Sequence, residues 1–426
     1  MKLLPTDGNR YDWFGERVDL RGNILAVGAI YDDDQADDAG AVYLYESTTG
    51  NFITKLTADD GDPSDSFGRA VAIGNDLVAI GSSYDDDAGD DAGAVYLFNT
   101  TTGAQLRKLL PETGADNDQF GQRIDVRDNL IAVGVGRDDD LGNDAGAVYL
   151  IDAQSGETLY KLTADDGKTL DYFGTSVALG NGFVAAGSPY NDGNEDNSGA
   201  VYIFDSATGD QLLKLAQPSP QIDDRFGTSI CIDNGYLAVG ATGGTSSPNG
   251  AYRGAVHLYD SDSFQFLRTF RPNDNHLSNA FGVVDLDESS GHLVVSAAGD
   301  DSLADNAGAA YLFDLNTGEQ LAKLYPSDAS PAAFFGRSIA IDNGRIAVGV
   351  GQDDDLGMGV GAVYLFDIPD SFCVGDTNHD GTLSADDFTD WLTAYTEGSP
   401  ECDQNSDGRC TPTDFSAWIA NFNTGC

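Results

Sequence analysis

Residues 67–98 read FGRAVAIGNDLVAIGSSYDDDAGDDAGAVYLF and contain three short apolar runs separated by Gly, Asn and Asp. A fourth run, QLRKLL at residues 105–110, follows a turn at residues 101–103. Short runs rich in Val, Ile, Leu, Tyr and Phe have the length of β-strands. No part of this stretch places apolar residues at helical spacing over the length of a helix. The stretch therefore predicts four consecutive antiparallel strands.

This stretch belongs to a block that occurs seven times along the chain. Each block opens with a Phe-Gly pair, and successive pairs lie 53 to 55 residues apart. The pairs are Phe14-Gly15, Phe67-Gly68, Phe120-Gly121, Phe173-Gly174, Phe226-Gly227, Phe281-Gly282 and Phe335-Gly336. Four strands repeated at a fixed period are typical of the blades of a β-propeller. A linear β-solenoid is the alternative, although strands of this length fit it less well.

The two ends of the repeat region predict a closed ring. The seventh block lacks its fourth strand, because it ends before Pro369. The missing Lys-Leu element appears instead before the first block, within residues 2–8. Pairing this segment with the last blade removes two open sheet edges. We therefore predict an all-β, seven-bladed propeller over residues 1–368, with an N-terminal strand that completes the last blade.

Three elements of the block carry a family resemblance. They are the Phe-Gly pairs, the Val-Gly-Ala segments at 27–29 and 239–241, and Gly-Ala-Val-Tyr at 40–43. Together they resemble the FG-GAP repeats of integrin α-subunit propellers and of many bacterial secreted proteins, over about residues 1–367. The resemblance implies the propeller fold. It leaves the function open, because such propellers serve adhesion, ligand binding and spacing alike.

The net charge of −48 limits the classes of partner. Nucleic acids and anionic membranes would be repelled, so we expect neither as a partner. The acids are 61 Asp and only nine Glu. Asp closes turns and coordinates calcium, which places much of the charge in loops, although a solvated surface adapted to salt is an alternative. No apolar stretch reaches the 18 residues of a membrane span.

A different composition begins at Pro369 and contains two twelve-residue segments, 376–387 and 403–414. Oxygen-bearing side chains stand at positions 1, 3, 5, 9 and 12, Gly stands at position 6, and position 7 offers its backbone carbonyl. This spacing predicts two calcium ions. The predicted ligands are Asp376, Asn378, Asp380, Thr382, Ser384 and Asp387, and then Asp403, Asn405, Asp407, Arg409, Thr411 and Asp414.

An amphipathic run follows each loop and predicts short helices over Phe388–Tyr395 and Phe415–Phe422. Two such loop–helix units resemble type I dockerins, over residues 373–424, including Asp rather than Glu at position 12. The resemblance implies a small helical calcium domain at 369–426 and a cohesin-like or surface partner. Positions 10 and 11, which often recognise cohesin, are Ala385-Asp386 and Pro412-Thr413. A particular cohesin partner therefore does not follow from the resemblance.

Four of the five cysteines lie in this tail: Cys373, Cys402, Cys410 and Cys426. They predict two disulfides, with three pairings open, and hence an oxidising compartment. We expect the protein to be extracellular or at the cell surface. Residues 1–5 do not form an apolar signal region, so we expect the leader to be absent from this sequence. Cys231, in block five, is predicted to be a buried thiol.

The loop after the second strand of most blocks is acidic. Runs of three Asp occur in four blocks: Asp32, Asp33 and Asp34; Asp85, Asp86 and Asp87; Asp138, Asp139 and Asp140; and Asp353, Asp354 and Asp355. Adjacent carboxylates repel one another unless a cation lies between them, which favours bound calcium. The loops lack the Asp-x-Asp-x-Asp-Gly order of integrin blade loops, however, which favours solvated loops without an ion. Both interpretations stay open. A further Asp shortly before Phe-Gly, such as Asp65, is predicted to cap the turn that seats the Phe.

The sequence offers little sign of catalysis. Its four histidines do not recur across blocks, and it lacks a nucleophile elbow and a phosphate loop. Block five departs most from the repeat, and Arg253 and His257 are its candidates for a hidden site. We predict a secreted, non-catalytic, calcium-binding propeller that binds a protein or glycan ligand. The alternatives are a polysaccharide lyase or hydrolase component and a structural unit of a surface layer or filament.

Overall fold

The computed structural model describes residues 1–193, 195–233, 235–243, 254–273, 279–287, 289–368, 385–397, 402 and 410–424. Within them, 28 strands form seven four-stranded sheets, and two helices follow. Every described strand pairing within a sheet is antiparallel. The predicted seven-bladed propeller is confirmed.

The blades follow the chain in order, from the inner to the outer strand. Blade 1 contains β2 (Phe14–Arg21), β3 (Ile24–Ala29), β4 (Ala41–Glu46) and β5 (Phe52–Leu56). Blade 2 contains β6 (Phe67–Ile73), β7 (Leu77–Ser82), β8 (Ala94–Asn99) and β9 (Gln105–Leu109). Blade 3 contains β10 (Arg123–Arg127), β11 (Leu130–Val135), β12 (Ala147–Asp152) and β13 (Thr158–Leu162). Blade 4 contains β14 (Ser176–Leu179), β15 (Phe183–Ser188), β16 (Ala200–Asp205) and β17 (Gln211–Leu215).

The remaining blades keep this order. Blade 5 contains β18 (Phe226–Asp233), β19 (Tyr236–Ala241), β20 (Ala255–Asp260) and β21 (Phe266–Phe270). Blade 6 contains β22 (Asn279–Asp287), β23 (His292–Gly299), β24 (Ala309–Asp314) and β25 (Gln320–Leu324). Blade 7 contains β26 (Ser338–Asp342), β27 (Arg345–Val350), β28 (Ala362–Asp367) and, as its outer strand, β1 (Lys2–Leu3).

The ring closes as the sequence predicts. Lys2 pairs with Tyr364 and Leu3 pairs with Val363, so β1 completes blade 7 from the other end of the chain. On the next blade, the Phe14 amide donates to the Val360 carbonyl at 2.9 Å. Only Lys2 and Leu3 pair with β28, so the closing strand is shorter than the predicted segment of residues 2–8.

Each Phe-Gly pair joins neighbouring blades. The seven Phe side chains are at most 1% exposed. Phe67 packs edge-to-face on Tyr96, with ring centroids 5.4 Å apart, and forms a parallel bridge to Gly40 of blade 1. Gly68 has φ +97°, and a Cβ there would lie 2.9 Å from the Ala41 carbonyl oxygen, also in blade 1. The repeat therefore keeps Gly at this position because the adjacent blade leaves no room for a side chain.

Contacts divide the chain into two compact units, one comprising residues 1–271 and 277–366 and the other comprising residues 272–276 and 367–426. The second unit contains helices α1 (Ala385–Glu397) and α2 (Pro412–Thr424). Both helices are longer than predicted, because each begins within the last positions of its predicted calcium loop. Neither has the length and apolar character needed to cross a bilayer within the described residues.

Candidate functional site

The loop between the second and third strands of blade 2 carries Asp85, Asp86 and Asp87, and a lysine lies at its centre. The Lys108 ammonium is 2.8 Å from Asp85 Oδ2, 2.6 Å from Asp87 Oδ2 and 3.0 Å from Asp60 Oδ2. Tyr96 donates its hydroxyl to Asp85 Oδ2 at 2.7 Å. Although burial acts to lower it, these hydrogen bonds raise the pKa of Lys108.

The same arrangement recurs around the ring, and we call it the lysine cluster. It is centred on a lysine of the outer strand, at Lys2, Lys55, Lys108, Lys161, Lys214 and Lys323. Six of the seven lysines of the chain occupy this position. Its members on the acidic loops are Asp32, Asp34, Asp85, Asp87, Asp138, Asp140, Asn191, Asp300, Asp353 and Asp355.

The three Asp of each run have different roles. The first is buried, with Asp32 and Asp85 only 1% and 2% exposed, so the interpretation as solvated loops is wrong for this position. The second caps its own loop, as Asp86 does by accepting the Asp91 amide at 2.7 Å. The equivalents Asp33, Asp139 and Asp354 accept the amides of Asp38, Asp144 and Gly359. The third reaches the lysine from the surface.

An ammonium group thus lies where a calcium ion would sit in the predicted loop sites. The oxygens of Asp328, Asp353 and Asp355 lie within 4.8 Å of one another, and Lys2 Nζ is 2.7 Å from each. An ion would have to displace this lysine. Calcium in the blade loops stays a prediction, and the lysines are the functional groups that sequence reasoning missed. Their recurrence in the fourth run of five blocks, and at Lys2 in the segment before the first block, was the available signal.

An Asp stands two residues before five of the seven Phe-Gly pairs and caps the preceding turn, as predicted. Asp65 Oδ2 accepts the Asp62 amide at 2.8 Å, and Asp12, Asp118 and Asp171 accept equivalent amides. These four side chains are buried. Burial raises the pKa of Asp12 to about 7 and the pKa values of Asp65 and Asp118 to about 6.

A cavity of about 260 Å³ lies among the first strands of the blades, at the centre of the ring. Asp19, Asp125 and Asp285 line it, together with Cys231. Each carboxylate accepts an amide of the next blade, as Asp19 Oδ2 does from Ile73 at 2.5 Å and Asp125 Oδ2 from Leu179 at 2.6 Å. These bonds tie neighbouring blades together along the wall of the channel.

Burial raises the pKa of all four of these channel groups, Asp19, Asp125, Asp285 and Cys231. Burial, together with the nearby Asp125 charge, raises the pKa of Asp19 to about 6. Cys231 is half-buried and lines the channel, which corrects the prediction of a buried thiol. Burial also raises the pKa of its thiol, so the channel holds it in the protonated form.

The sequence of the blades matches a known family model. FG-GAP repeats match residues 1–45, 51–98, 104–151, 158–204 and 319–366, which is more than half of the chain. The chain belongs to the FG-GAP repeat family. No curated protein is similar enough to be matched with it.

Blade 5 lies outside the matched FG-GAP segments and has lost the lysine cluster as a unit. Thr269 replaces the lysine and His257 replaces the tyrosine, and the Thr269 hydroxyl lies 3.0 Å from His257 Nδ1. Burial lowers the pKa of His257 to about 4, and its Nε2 has no hydrogen-bond partner within the described part of the chain. His257 is a buried core residue of blade 5. Arg253, its predicted companion, lies outside the described residues.

The tail beyond the FG-GAP propeller is described only in part. Of the predicted calcium ligands, Asp387, Thr411 and Asp414 lie within the described residues. Asp387 and Asp414 are buried in the first turns of α1 and α2. Asp414 Oδ2 accepts the Thr411 amide at 2.7 Å and its hydroxyl at 3.0 Å. Outside the described residues lie Asp376, Asn378, Asp380, Thr382, Ser384, Asp403, Asn405, Asp407 and Arg409.

The two helices meet through equivalent aromatic side chains. Phe388 and Trp391 of α1 match Phe415 and Trp418 of α2, and the Phe388 and Trp418 rings lie 5.2 Å apart. The Trp391 indole donates to the Cys402 carbonyl at 3.1 Å. Such an aromatic contact lets the two loop–helix units share one small core.

A disulfide joins Cys402 to Cys410, which are eight residues apart in sequence and have their Cα atoms 5.5 Å apart. It brackets the first seven positions of the second predicted calcium loop. This is one of the pairings that the sequence left open. The other two predicted partners, Cys373 and Cys426, lie outside the described residues.

Proposed function

We propose that this FG-GAP propeller is an extracellular, non-catalytic binding protein that holds a protein or glycan ligand on its long-loop end. The long-loop end is formed by the loops between second and third strands and by the connections between blades. Register places these segments together, because Phe67 at the start of β6 pairs with Ser82 at the end of β7. The tail would attach the propeller, through two calcium ions, to a cohesin-like or surface partner.

One observation carries this proposal: rigid loops on the long-loop end present exposed apolar tips. Leu141 and Leu356 directly follow the third Asp of their runs, and Leu303 follows Ser302, which contacts Lys323; the three leucines are 53%, 54% and 48% exposed. Tyr11 and Met358 add a fourth contact point, where the Tyr11 amide donates to the Met358 carbonyl at 2.9 Å. Loops held by a rigid scaffold are common sites of ligand binding, and exposed apolar groups favour association.

The lysine clusters fix these loops before a ligand arrives. Ion pairs and capping bonds within each acidic loop remove conformational freedom that binding would otherwise have to remove. The acidic loops are therefore supports for the tips in this proposal. The polysaccharide-acting enzyme and the surface-layer unit stay as alternatives from the sequence, and no observation within the described residues favours either of them.

A matched pair of variants tests the site. The full chain is screened against immobilised glycans and against extracellular matrix proteins, and any ligand is then titrated with Leu356→Ser and with Leu106→Ser. Leu106 has the same exposure, 55%, but lies on the outer strand β9. We expect the loop variant to lose affinity and the strand variant to retain it. Equal loss in both variants, or no ligand from the screens, would contradict the proposal.

The calcium part has its own measurement. Calorimetric titration of the full chain is compared with that of a chain carrying Asp387→Ala and Asp414→Ala. Two bound ions in the wild type that are lost in the variant would support the tail as the calcium module. Unchanged stoichiometry would overturn it.

A further inference from the structure

Four arginines stand within the first four residues of the first strand of a blade, or directly before that strand, and therefore near the long-loop end. They are Arg337, Arg17, Arg69 and Arg123, from blades 7, 1, 2 and 3, which are consecutive around the ring; we call them the arginine mouth. Arg17 and Arg123 stand two residues before Asp19 and Asp125, which line the cavity. Because alternate residues share one face of a strand, Arg17 and Arg123 lie on the same strand face as these aspartates. They are two residues nearer the start of β2 and β10 than the aspartates are.

The positive charge of the arginine mouth is poorly compensated. Among the described residues, Glu16 is the carboxylate in contact with it, 2.7 Å from Arg337 Nε and 3.6 Å from Arg17 Nη1. Arg17 and Arg123 each donate a further bond to a neutral backbone carbonyl, at 2.8 Å. The Arg69 Nε is buried, and no described residue accepts a hydrogen bond from it.

The arginines also repel one another. Burial lowers the pKa of Arg123 to about 9, and the charges of Arg17 and Arg69 lower it further. Burial lowers the pKa of Arg17 as well, with Arg69 and Arg337 acting in the same direction and Glu16 opposing them. Four like charges have gathered in a chain whose net charge is −48. Buried charges in native proteins are normally paired, and within the described residues one carboxylate, Glu16, contacts a group of four arginines.

The channel aspartates are not free to supply that partner. Asp19 and Asp125 each bind an amide of the next blade, and Arg21 and Arg127 at the other end of the channel act on their charges. Turning them towards the arginine mouth would break bonds between blades. The missing negative charge must therefore come from outside this unit. Access exists, because the side chains of Arg17 and Arg337 remain 22% and 37% exposed.

We propose that the arginine mouth binds one oxyanion group, a carboxylate, sulfate or phosphate, supplied either free in solution or by the ligand of the long-loop end. The guanidinium fork matches such groups with two parallel hydrogen bonds. The second source rests on the proposed function, whereas binding of a free anion does not. Arg337 stacks over Trp13, with 5.5 Å between the guanidinium carbon and the ring centroid, which holds one wall of the mouth in place.

Calorimetry on the full chain tests the proposal with inorganic sulfate, and then with dextran sulfate against unsulfated dextran. An ionic strength of about 0.15 M screens the distant aspartates, since the Debye length is then about 8 Å. We expect one sulfate per propeller and a loss of about tenfold or more in affinity in Arg69→Gln and Arg123→Gln, because each removes charge-assisted bonds. Arg107→Gln, on the exposed face of β9, is the control and should bind sulfate as the wild type does.

Thermal melting supplies a second measurement. Removing one arginine relieves repulsion, so we expect the two mouth variants to fold, and sulfate to raise the melting temperature of the wild type and of Arg107→Gln only.

Binding of dextran sulfate but not dextran would assign the group to a sulfated ligand, whereas binding of sulfate alone would assign it to a free anion. An equal response to sulfate in all four proteins, or none in the wild type, would overturn the anion site. Ligand binding by the loop tips that does not depend on Arg69 and Arg123 would exclude the ligand as the source of the anion, while leaving both the site for a free anion and the proposed function intact.

Discussion

The Lys108 ammonium lies 2.8 Å from the Asp85 carboxylate, and equivalent lysine–aspartate pairs recur in the loops of four other blades. The Asp85 side chain is 2% exposed and the Lys108 side chain 15%, so the pair is largely withdrawn from solvent. Blade 5 has replaced both the lysine and the tyrosine, by Thr269 and His257, whereas blade 4 keeps Lys214 and has Asn191 in place of the buried Asp. A buried carboxylate without its lysine would be costly, so we expect the lysine to be lost only where the buried Asp is absent as well.

Removing the lysine should destabilise the propeller. In Lys108→Met, Asp85 stays buried without its counter-ion, and we expect a loss of about 3 kcal/mol in the free energy of unfolding. Urea denaturation at pH 7 measures this loss. Lys168→Met is the control, because Lys168 is exposed and lies outside the clusters, and it should change stability by less than about 0.5 kcal/mol. Equal effects of the two substitutions would show that the cluster contributes no special stability.

The lysine of blade 7 should also control access of calcium. In Lys2→Met, the carboxylates of Asp328, Asp353 and Asp355 lose the ammonium that lies 2.7 Å from each. We expect millimolar calcium to raise the melting temperature of this variant more than that of the wild type, since calcium prefers clustered carboxylate oxygens. Lys168→Met serves as the control for altered net charge. A calcium response identical to that of the wild type would contradict this role of Lys2.

Stability should depend on pH through the buried turn-capping aspartates. Burial raises the pKa of Asp65 to about 6, so the folded state binds this proton more tightly than the unfolded state. The resulting stabilisation is complete below about pH 4 and is lost as the pH rises through about 6. Asp65→Asn can still accept the Asp62 amide but does not titrate. We therefore expect the wild type to lose about 2 kcal/mol relative to this variant between pH 4 and pH 7.

Urea unfolding at pH 4, 5.5 and 7 provides the comparison for Asp65. Asp262→Asn, at an exposed site, is the matched control and should follow the wild type at all three values. A constant difference between wild type and Asp65→Asn across this range would show that Asp65 keeps the same charge in both states.

The tail should depend on its predicted calcium loops. Asp376→Ala combined with Asp403→Ala removes position 1 from both loops, and we expect the tail to lose its calcium-dependent structure while the propeller stays folded. Loss of the indole signals of Trp391 and Trp418 from their folded positions in NMR spectra measures this. Asp390→Ala, an exposed substitution on α1, is the control. Unchanged tail signals in the double variant would contradict the calcium-loop assignment.

Local patterns in the sequence were sufficient to predict the architecture of the propeller. The spacing of Phe-Gly pairs determined the number of blades, and alternation of apolar residues determined their strands. The Lys-Leu element near Lys2 predicted the closing strand, because its partner strand was identifiable as incomplete. The amphipathic runs predicted both tail helices, although α1 and α2 begin earlier, at Ala385 and Pro412, since Asp387 and Asp414 lie in the first helical turns.

The charged sites depended on contacts between residues far apart in sequence. Lys108 is 21 residues from Asp87 and 48 from Asp60, so the acidic loops alone did not reveal their counter-ion. The arginine mouth draws on four blades and forms only when the ring is closed. The sequence by itself therefore determined the repeat, its strands and its closure, which follow from local periodicity. Only the tertiary structure decided which charges are buried, paired or left without a partner, because burial and Coulomb energy depend on distances that blade packing sets.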